Sequence, residues 1–209
     1  MIACADLDGI NEILGMKPHL ANEPIPVNAH NPAMAHPLHR ICDGVFEGIY
    51  TDLDGAAIAR VFLRHGAHVN GNDIREKADT PLIAAASLRA DEVALLFIDS
   101  GAAINHAGTH GGTALHWGAW CGRDRVVKKL LETKAEMDLR CIDFTATPLV
   151  WAIHGYKFGG IENRHRQVEC VRLLCQAGAD RDIPNGKGTR PVDMLDAGDR
   201  DLRDILTAK

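Results

Sequence analysis

The sequence predicts an all-α fold in which one small helix-turn-helix repeat is stacked along the chain. Three similar segments indicate it, and they lie at 80–86 (TPLIAAA), 113–119 (TALHWGA) and 147–153 (TPLVWAI). The second begins 33 positions after the first, and the third 34 positions after the second. A constant spacing in this range is typical of a solenoid, in which each repeat buries its apolar face against its neighbours.

A second motif with the same period closes each repeat. It is a two-residue pair found at 66–67 (GA), 101–102 (GA), 134–135 (KA) and 178–179 (GA), with steps of 35, 33 and 44. The longest step exceeds one repeat by about ten residues, the size of a loop insertion. We expect two such insertions, at about Gly44 to Asp52 and Tyr156 to Arg166, each separating the first helix of its repeat from the second.

Each predicted helix has a start and a stop signal. Thr80 and Thr147 can cap a first helix by accepting a hydrogen bond from its unpaired N–H groups. The proline that follows each threonine suits the first helical position, where a missing N–H costs nothing. Gly66, Gly101 and Gly178 fall where a second helix must stop in the left-handed conformation that glycine tolerates.

These signals divide the chain into segments of one predicted domain, 1–209. Residues 1–22 read as a truncated N-terminal capping repeat, and 23–35 as a proline-rich extended loop. Four repeats follow at 36–70, 79–105, 112–138 and 146–182. Residues 186–209 form a C-terminal capping repeat, whose polar second helix suits the end of a stack.

The chain resembles the ankyrin-repeat family at both ends of each repeat. The opening motif matches at 36–39 (HPLH), 80–82 (TPL), 113–116 (TALH) and 147–149 (TPL), and the closing motif at 66–70 (GAHVN), 101–105 (GAAIN) and 178–180 (GAD). His36 and Arg190 replace the capping threonine, Ala114 the proline and Lys134 the turn glycine. The resemblance implies an all-α ankyrin-repeat solenoid of about five to six helix-turn-helix repeats with short β-hairpin-like turns.

Composition excludes several classes of function. The formal charge of −5, with acidic and basic residues interleaved, does not build the basic stripe of a nucleic-acid binder. We expect no membrane segment and no signal peptide, because no apolar run has the required length or flanks. The six cysteines show no framework spacing, so we expect free thiols in a cytoplasmic monomer.

The sequence does not predict an enzyme. It holds no triad, phosphate loop or paired-carboxylate motif, and we expect neither a catalytic site nor a cofactor. Cys121 is close in sequence to His116, but spacing alone shows no base within reach of its thiol. The segment 52–55 (DLDG) resembles the start of a calcium loop but lacks the later ligands, so we interpret it as a helix start.

The aromatic residues favour an interaction surface in the third and fourth repeats. Trp117 and Trp151 share one repeat position and are expected in the core. Trp120 and His154 share another, which the family resemblance places on a concave groove together with the turns before the first helices. The resemblance implies non-catalytic recognition of an unidentified protein there. The predicted contacts are Glu76, Lys77, Asp79, His110, Trp120, Asp143, Phe144, His154 and Tyr156.

The sequence also fits two alternatives. The insertion at 156–166 could fold over Trp120 and bury it. The same region could instead form a small-ligand or metal site from His110, His154, Tyr156 and His165. We expect no role as ligands for the two histidines of the opening motif, His39 and His116, which support the turn by hydrogen bonding within the repeat.

Overall fold

A computed structural model describes residues 5–26, 33–72, 74 and 77–208. The chain divides into two compact units, Met1–Ala103 and Ile104–Lys209. Regular structure in the described residues is almost entirely helical, which confirms the expected all-α class. The extent of the predicted domain and of its repeats stays a prediction.

The first unit contains five α-helices, one 3₁₀ turn and two short strands among the described residues. They are α1 (Leu7–Met16), a 3₁₀ turn (Pro18–Ala21), β1 (Ile25–Pro26), β2 (Met34–Ala35), α2 (Pro37–Phe46), α3 (Asp52–Arg64), α4 (Pro81–Ser87) and α5 (Asp91–Asp99). β1 and β2 pair antiparallel, with Ile25 opposite Ala35. The described ends of the expected proline-rich loop therefore pair through their backbones, and residues 27–32 lie outside the described part of the chain.

The second unit repeats the same alternation of short and long helices. Its elements are a 3₁₀ turn (Thr109–Gly111), α6 (Ala114–Trp120), α7 (Asp124–Glu132), α8 (Pro148–Phe158), a 3₁₀ turn (Ile161–Asn163), α9 (Arg164–Ala177), a 3₁₀ turn (Pro191–Met194) and α10 (Arg200–Thr207). α6 packs against α8, and α7 against α9. The core between them is aliphatic, and Leu115, Leu130, Leu149 and Leu174 have no exposed surface.

The start signals act as the sequence predicts. Thr80 and Thr147 each accept a hydrogen bond at 3.4 Å from the backbone N–H three residues on. His36 replaces the threonine of the earlier repeat, and its Nδ1 accepts from the Leu38 N–H at 3.3 Å. An imidazole therefore caps that helix in place of a hydroxyl.

The stop signals are also confirmed. Gly66, Gly101 and Gly178 have φ values of 86°, 83° and 98°, in the left-handed region where a side chain is disfavoured. Lys134 adopts the same conformation, with φ 65°, at the position where its repeat lacks glycine.

The two expected insertions separate the first helix from the second, but they contain helix as well as loop, so the interpretation as loops alone was wrong. Residues 47–51 and 159–163 lie between the helices, and the remaining residues of each insertion belong to the helices. The first helices α2 and α8 have 10 and 11 residues, against 7 in α4 and in α6. The second helices α3 and α9 have 13 and 14 residues, against 9 in α5 and in α7. The extra residues continue the backbone hydrogen bonding of both helices, which leaves only a short turn between them.

A glycine occupies the same position near the end of each lengthened first helix. A Cβ on Gly44 would lie 2.3 Å from the Tyr50 hydroxyl oxygen, and one on Gly155 would lie 2.2 Å from the Trp120 carbonyl oxygen. The absence of a side chain therefore allows the close packing on which each long repeat depends.

Candidate functional site

A cleft of about 660 Å³ opens within the second unit. It is lined by His110, Trp117, Trp120, Asp143, Phe144, Thr145, Ala146, Val150, Trp151, His154, Asn185, Gly186, Lys187 and Met194. Helices α6 and α8 supply most of the aromatic side chains, and the turns before α8 and before the last 3₁₀ turn supply the rim. Its volume and its mainly apolar lining are typical of sites that bind ligands or anchor side chains.

Four aromatic rings meet at the centre of the cleft. Trp151 is only 5% exposed, and its ring N–H donates to Cys141 Sγ at 3.3 Å. The rings of Trp117, Trp120 and Phe144 lie 5.2, 6.0 and 6.3 Å from it, inclined at 79°, 72° and 69°. Three rings therefore stand steeply against one buried ring, the arrangement that the aromatic quadrupole favours.

The repeat register explains why these rings come together. Trp117 and Trp151 each lie four residues after a capping threonine, and Trp120 and His154 lie seven after it. Side chains three apart share one face of a helix. Because α6 and α8 pack side by side, their matching faces join into one surface.

His154 contributes a neutral ring to this surface. It stacks on Trp120 with centroids 4.7 Å apart and packs against Phe158 at 4.5 Å. Burial lowers the pKa of His154 below its ordinary value, since a charged imidazole would lose hydration there. Its Nδ1 is buried without a hydrogen-bond partner among the described residues.

Polar side chains stand at the rim. His110 Nδ1 and Asp143 Oδ2 lie 2.5 Å apart, and both side chains are 46% exposed. The backbone carbonyl of His110 also accepts from the Ile142 N–H at 2.9 Å, which joins two neighbouring turns. Lys187 and Asn185 come from the next turn along the chain.

The two histidines of the opening motif are structural, as expected, but their hydrogen bonds reach further than predicted. Nδ1 of His116 accepts from the Thr113 N–H at 3.1 Å, and its Nε2 lies 3.2 Å from the Ala146 carbonyl oxygen, in the following repeat. His39 Nε2 reaches the Asp79 carbonyl oxygen at 2.9 Å. Restricting these bonds to one repeat was therefore wrong. Burial lowers the pKa of His116 to about 4.

Five of the predicted contact residues line the cleft: His110, Trp120, Asp143, Phe144 and His154. Lys77 and Asp79 belong to the first unit, in the segment before α4. Glu76 lies outside the described residues. Tyr156 does not line the cleft. Its hydroxyl donates to Asp199 Oδ1 at 3.1 Å.

Nine further lining residues were not predicted to be contacts, and the register could have identified four of them. Trp151 is core, as expected, yet it also forms part of the lining, as does the half-buried Trp117. Lys187 lies three residues before Arg190, as His110 lies three before Thr113. Met194 lies four after Arg190, the position of the tryptophans. Applying the same spacing to the last repeat would have predicted both Lys187 and Met194 as lining residues.

The insertion does not cover the cleft, because 156–166 contribute no lining residue. Its Lys157 instead donates to the Met194 carbonyl at 2.8 Å and pairs with Asp196 at 2.9 Å. His165 is exposed on α9 and does not reach the cleft. Within the described ranges, no three His, Cys, Asp or Glu side chains are grouped so that they could hold a metal ion.

Two family models match the chain. One for ankyrin repeats in three copies matches residues 52–143, and one for a single ankyrin repeat matches residues 146–186. The chain belongs to the ankyrin-repeat family. Ankyrin repeats are generally modules of protein–protein interaction. A search of curated proteins gave no match. Of the helices in the described residues, none is both long enough and apolar enough to cross a bilayer.

Proposed function

We propose that the protein is a non-catalytic recognition module that binds a protein partner in the aromatic cleft of its second unit. The observation that carries this proposal is the meeting of Trp117, Trp120, Phe144 and Trp151 around one open cleft. Tryptophan is enriched among the residues that dominate binding energy at protein interfaces.

The ankyrin fold does not itself require these aromatic rings. At the positions of Trp117 and Trp120, the helix α4 of the first unit carries Ala84 and Ser87 and still packs against α5. The rim residue Phe144 is 60% exposed, so burial in the folded chain does not explain it. A side chain that the fold leaves exposed beside a cleft is better explained by a partner.

Three of the described thiols are poorly suited to catalysis. Cys42, Cys170 and Cys175 are buried free thiols, and burial raises the pKa of each, which disfavours the reactive thiolate. Free thiols also fit a reducing compartment, so we propose a cytoplasmic location.

Trp120→Ala tests the proposal directly. Wild-type and variant chains are immobilised, and the proteins that each retains from a host extract are quantified by mass spectrometry. A partner that uses the cleft is retained by the wild type and lost by at least about tenfold with Trp120→Ala, the size of a hot-spot effect. Far-UV circular dichroism checks that the variant is folded.

Phe46→Ala is the matched control. Phe46 is also an aromatic residue, it is 59% exposed, and it belongs to the first unit. Retention should be unchanged in this variant. Equal retention by wild type and Trp120→Ala would show that the partner binds elsewhere, and a variant that no longer folds would place Trp120 in the core.

The cleft volume of about 660 Å³ also fits a small organic ligand, which keeps the alternative function open to test. A thermal-shift screen of metabolites on the purified chain addresses it. A ligand that raises the melting temperature of the wild type and leaves that of Trp120→Ala unchanged would favour this alternative.

A further inference from the structure

The cleft is lined by four aromatic rings, a type of side chain that can attract positive charge. The face of an aromatic ring is the negative part of its quadrupole, and tryptophan has the strongest effect. Trp117, Trp120 and Phe144 are steeply inclined to Trp151 around one space. A cation in that space could approach more than one ring.

Taken together, the charged and titratable side chains at the site do not repel a cation. Asp143 at the rim supplies a carboxylate with an exposed side chain, and its Oδ2 lies beside His110. His154, stacked on Trp120, is kept neutral by burial. Lys187 is the one lysine or arginine in the lining, and its side chain is exposed at the rim.

The chemistry of the walls also selects among cations. An unmodified lysine ammonium carries three N–H donors and is strongly hydrated, so it needs several acceptors when it leaves water. Apart from His154 Nδ1, which is buried without a partner among the described residues, the lining of the cleft consists mainly of rings and aliphatic groups such as Val150 and Met194. A methylated ammonium has exchanged its donors for methyl groups, keeps its charge and suits such walls.

Building on the proposed function, we propose that the occupant of the cleft is a methylated lysine side chain of the protein partner. The space of about 660 Å³ is far larger than one trimethylammonium group, so it also accepts the aliphatic stem and neighbouring residues. Asp143, Asn185 and Lys187 at the rim then face the backbone and the flanking side chains of the bound segment.

The test titrates the full chain with Nα-acetyl-trimethyl-lysine amide and follows tryptophan fluorescence. All three tryptophans line the cleft, so their emission reports its occupancy. The matched probe is the neutral analogue in which carbon replaces the quaternary nitrogen. We expect saturable quenching by the cation and a dissociation constant about tenfold weaker for the neutral analogue, as cation–π attraction requires. Equal affinities, or no saturable response, would overturn the proposal.

Two further probes test the chemical class and the source of the cation. The unmethylated lysine amide should bind several-fold more weakly than the trimethylated one. Choline carries the same head group without the peptide, and it should also bind more weakly. Choline that binds as tightly as the amide would assign the cleft to a small molecule and reject a lysine of a partner protein.

Two substitutions at the rim should change the affinity for the probe in opposite directions, which only a charged ligand produces. Asp143→Asn should weaken binding of the trimethyl-lysine probe a few-fold, and Lys187→Gln should strengthen it, with the neutral analogue unaffected by either. If the probes fail but Trp120→Ala still loses the captured partner, this inference is wrong and the proposed function stands. If partner capture is also independent of Trp120, both fail.

Discussion

Helix α4 of the first unit differs at two positions from α6 and α8 of the second, although all three are the first helices of their repeats. Four and seven residues after the capping threonine, α4 of the first unit has Ala84 and Ser87. The same two positions hold Trp117 and Trp120 in α6, and Trp151 and His154 in α8. In α4 these positions are small, and in α6 and α8 they carry the rings of the cleft.

Helix α2 shows a third solution at these positions. It carries Arg40 and Asp43, which form an ion pair, and Arg40 is buried. A buried arginine is tolerated only when it is paired. The repeat therefore accepts a pair of small residues, an ion pair or aromatic rings at one place, so its architecture depends on other residues and these positions are available for function.

Loss of the central ring should give the largest effect. Trp151→Ala leaves a cavity where a ring 5% exposed was packed, and we expect the free energy of unfolding to fall by about 3–5 kcal/mol. Urea denaturation followed by the fluorescence of Trp117 and Trp120 measures it. Phe158→Ala, with its ring 67% exposed, should change the same quantity by less than about 1 kcal/mol. If Trp151→Ala lowered the free energy of unfolding as little, alanine would be tolerated at this position of α8 as it is at Ala84 in α4.

A second difference, between α4 and α6, lies one residue earlier in the helix, where α4 has Ile83 and α6 has His116. The hydrogen bonds of His116 with Thr113 and Ala146 need a neutral ring protonated on Nε2. Its pKa is lowered to about 4 in the folded chain, from an ordinary value of 6.5. The unfolded chain therefore binds more protons between these values, and this contribution to stability, present above pH 6.5, is lost as pH falls towards 4.

The expected size of this loss is about 3 kcal/mol between pH 7 and pH 4. His116→Gln keeps an N–H donor for the Ala146 carbonyl and removes the titration, so its denaturation midpoint should fall less steeply with acid. His36 and His39 of the first unit also have lowered pKa values, which is why the variant must be compared with the wild type at every pH. A matched variant, His165→Gln, changes an exposed residue and should retain the full wild-type slope. The same slope in His116→Gln would contradict the assignment.

The lengthened helices provide the smallest of these effects. Gly155→Ala places a Cβ against the Trp120 carbonyl, and Gly44→Ala places one against the Tyr50 ring. We expect each to lower the free energy of unfolding by about 1–2 kcal/mol, because overpacking exceeds the gain in helix propensity. Thermal unfolding followed by far-UV circular dichroism measures both. Gly15→Ala in α1, where the nearest atom is 4.0 Å away, should leave stability unchanged or slightly raised.

Local signals in the sequence predicted the fold well. The hydroxyl of Thr80 and the backbone of Gly101 act on residues only a few positions away, so their effects can be inferred from neighbouring sequence. The repeat register likewise placed Trp120 and His154 on one surface. The insertions were misjudged because spacing shows that residues have been added and does not show whether they continue a helix.

The repeated helical architecture could be inferred from the sequence alone, as could the ends of its helices and the alignment of aromatic positions. Each depends on short-range hydrogen bonding and on helical periodicity. Packing in three dimensions was needed to show that Tyr156 turns to Asp199 and that Lys157 pairs with Asp196. Those outcomes depend on which side chains from distant segments fit together, and packing between segments is not encoded in the spacing of any one of them.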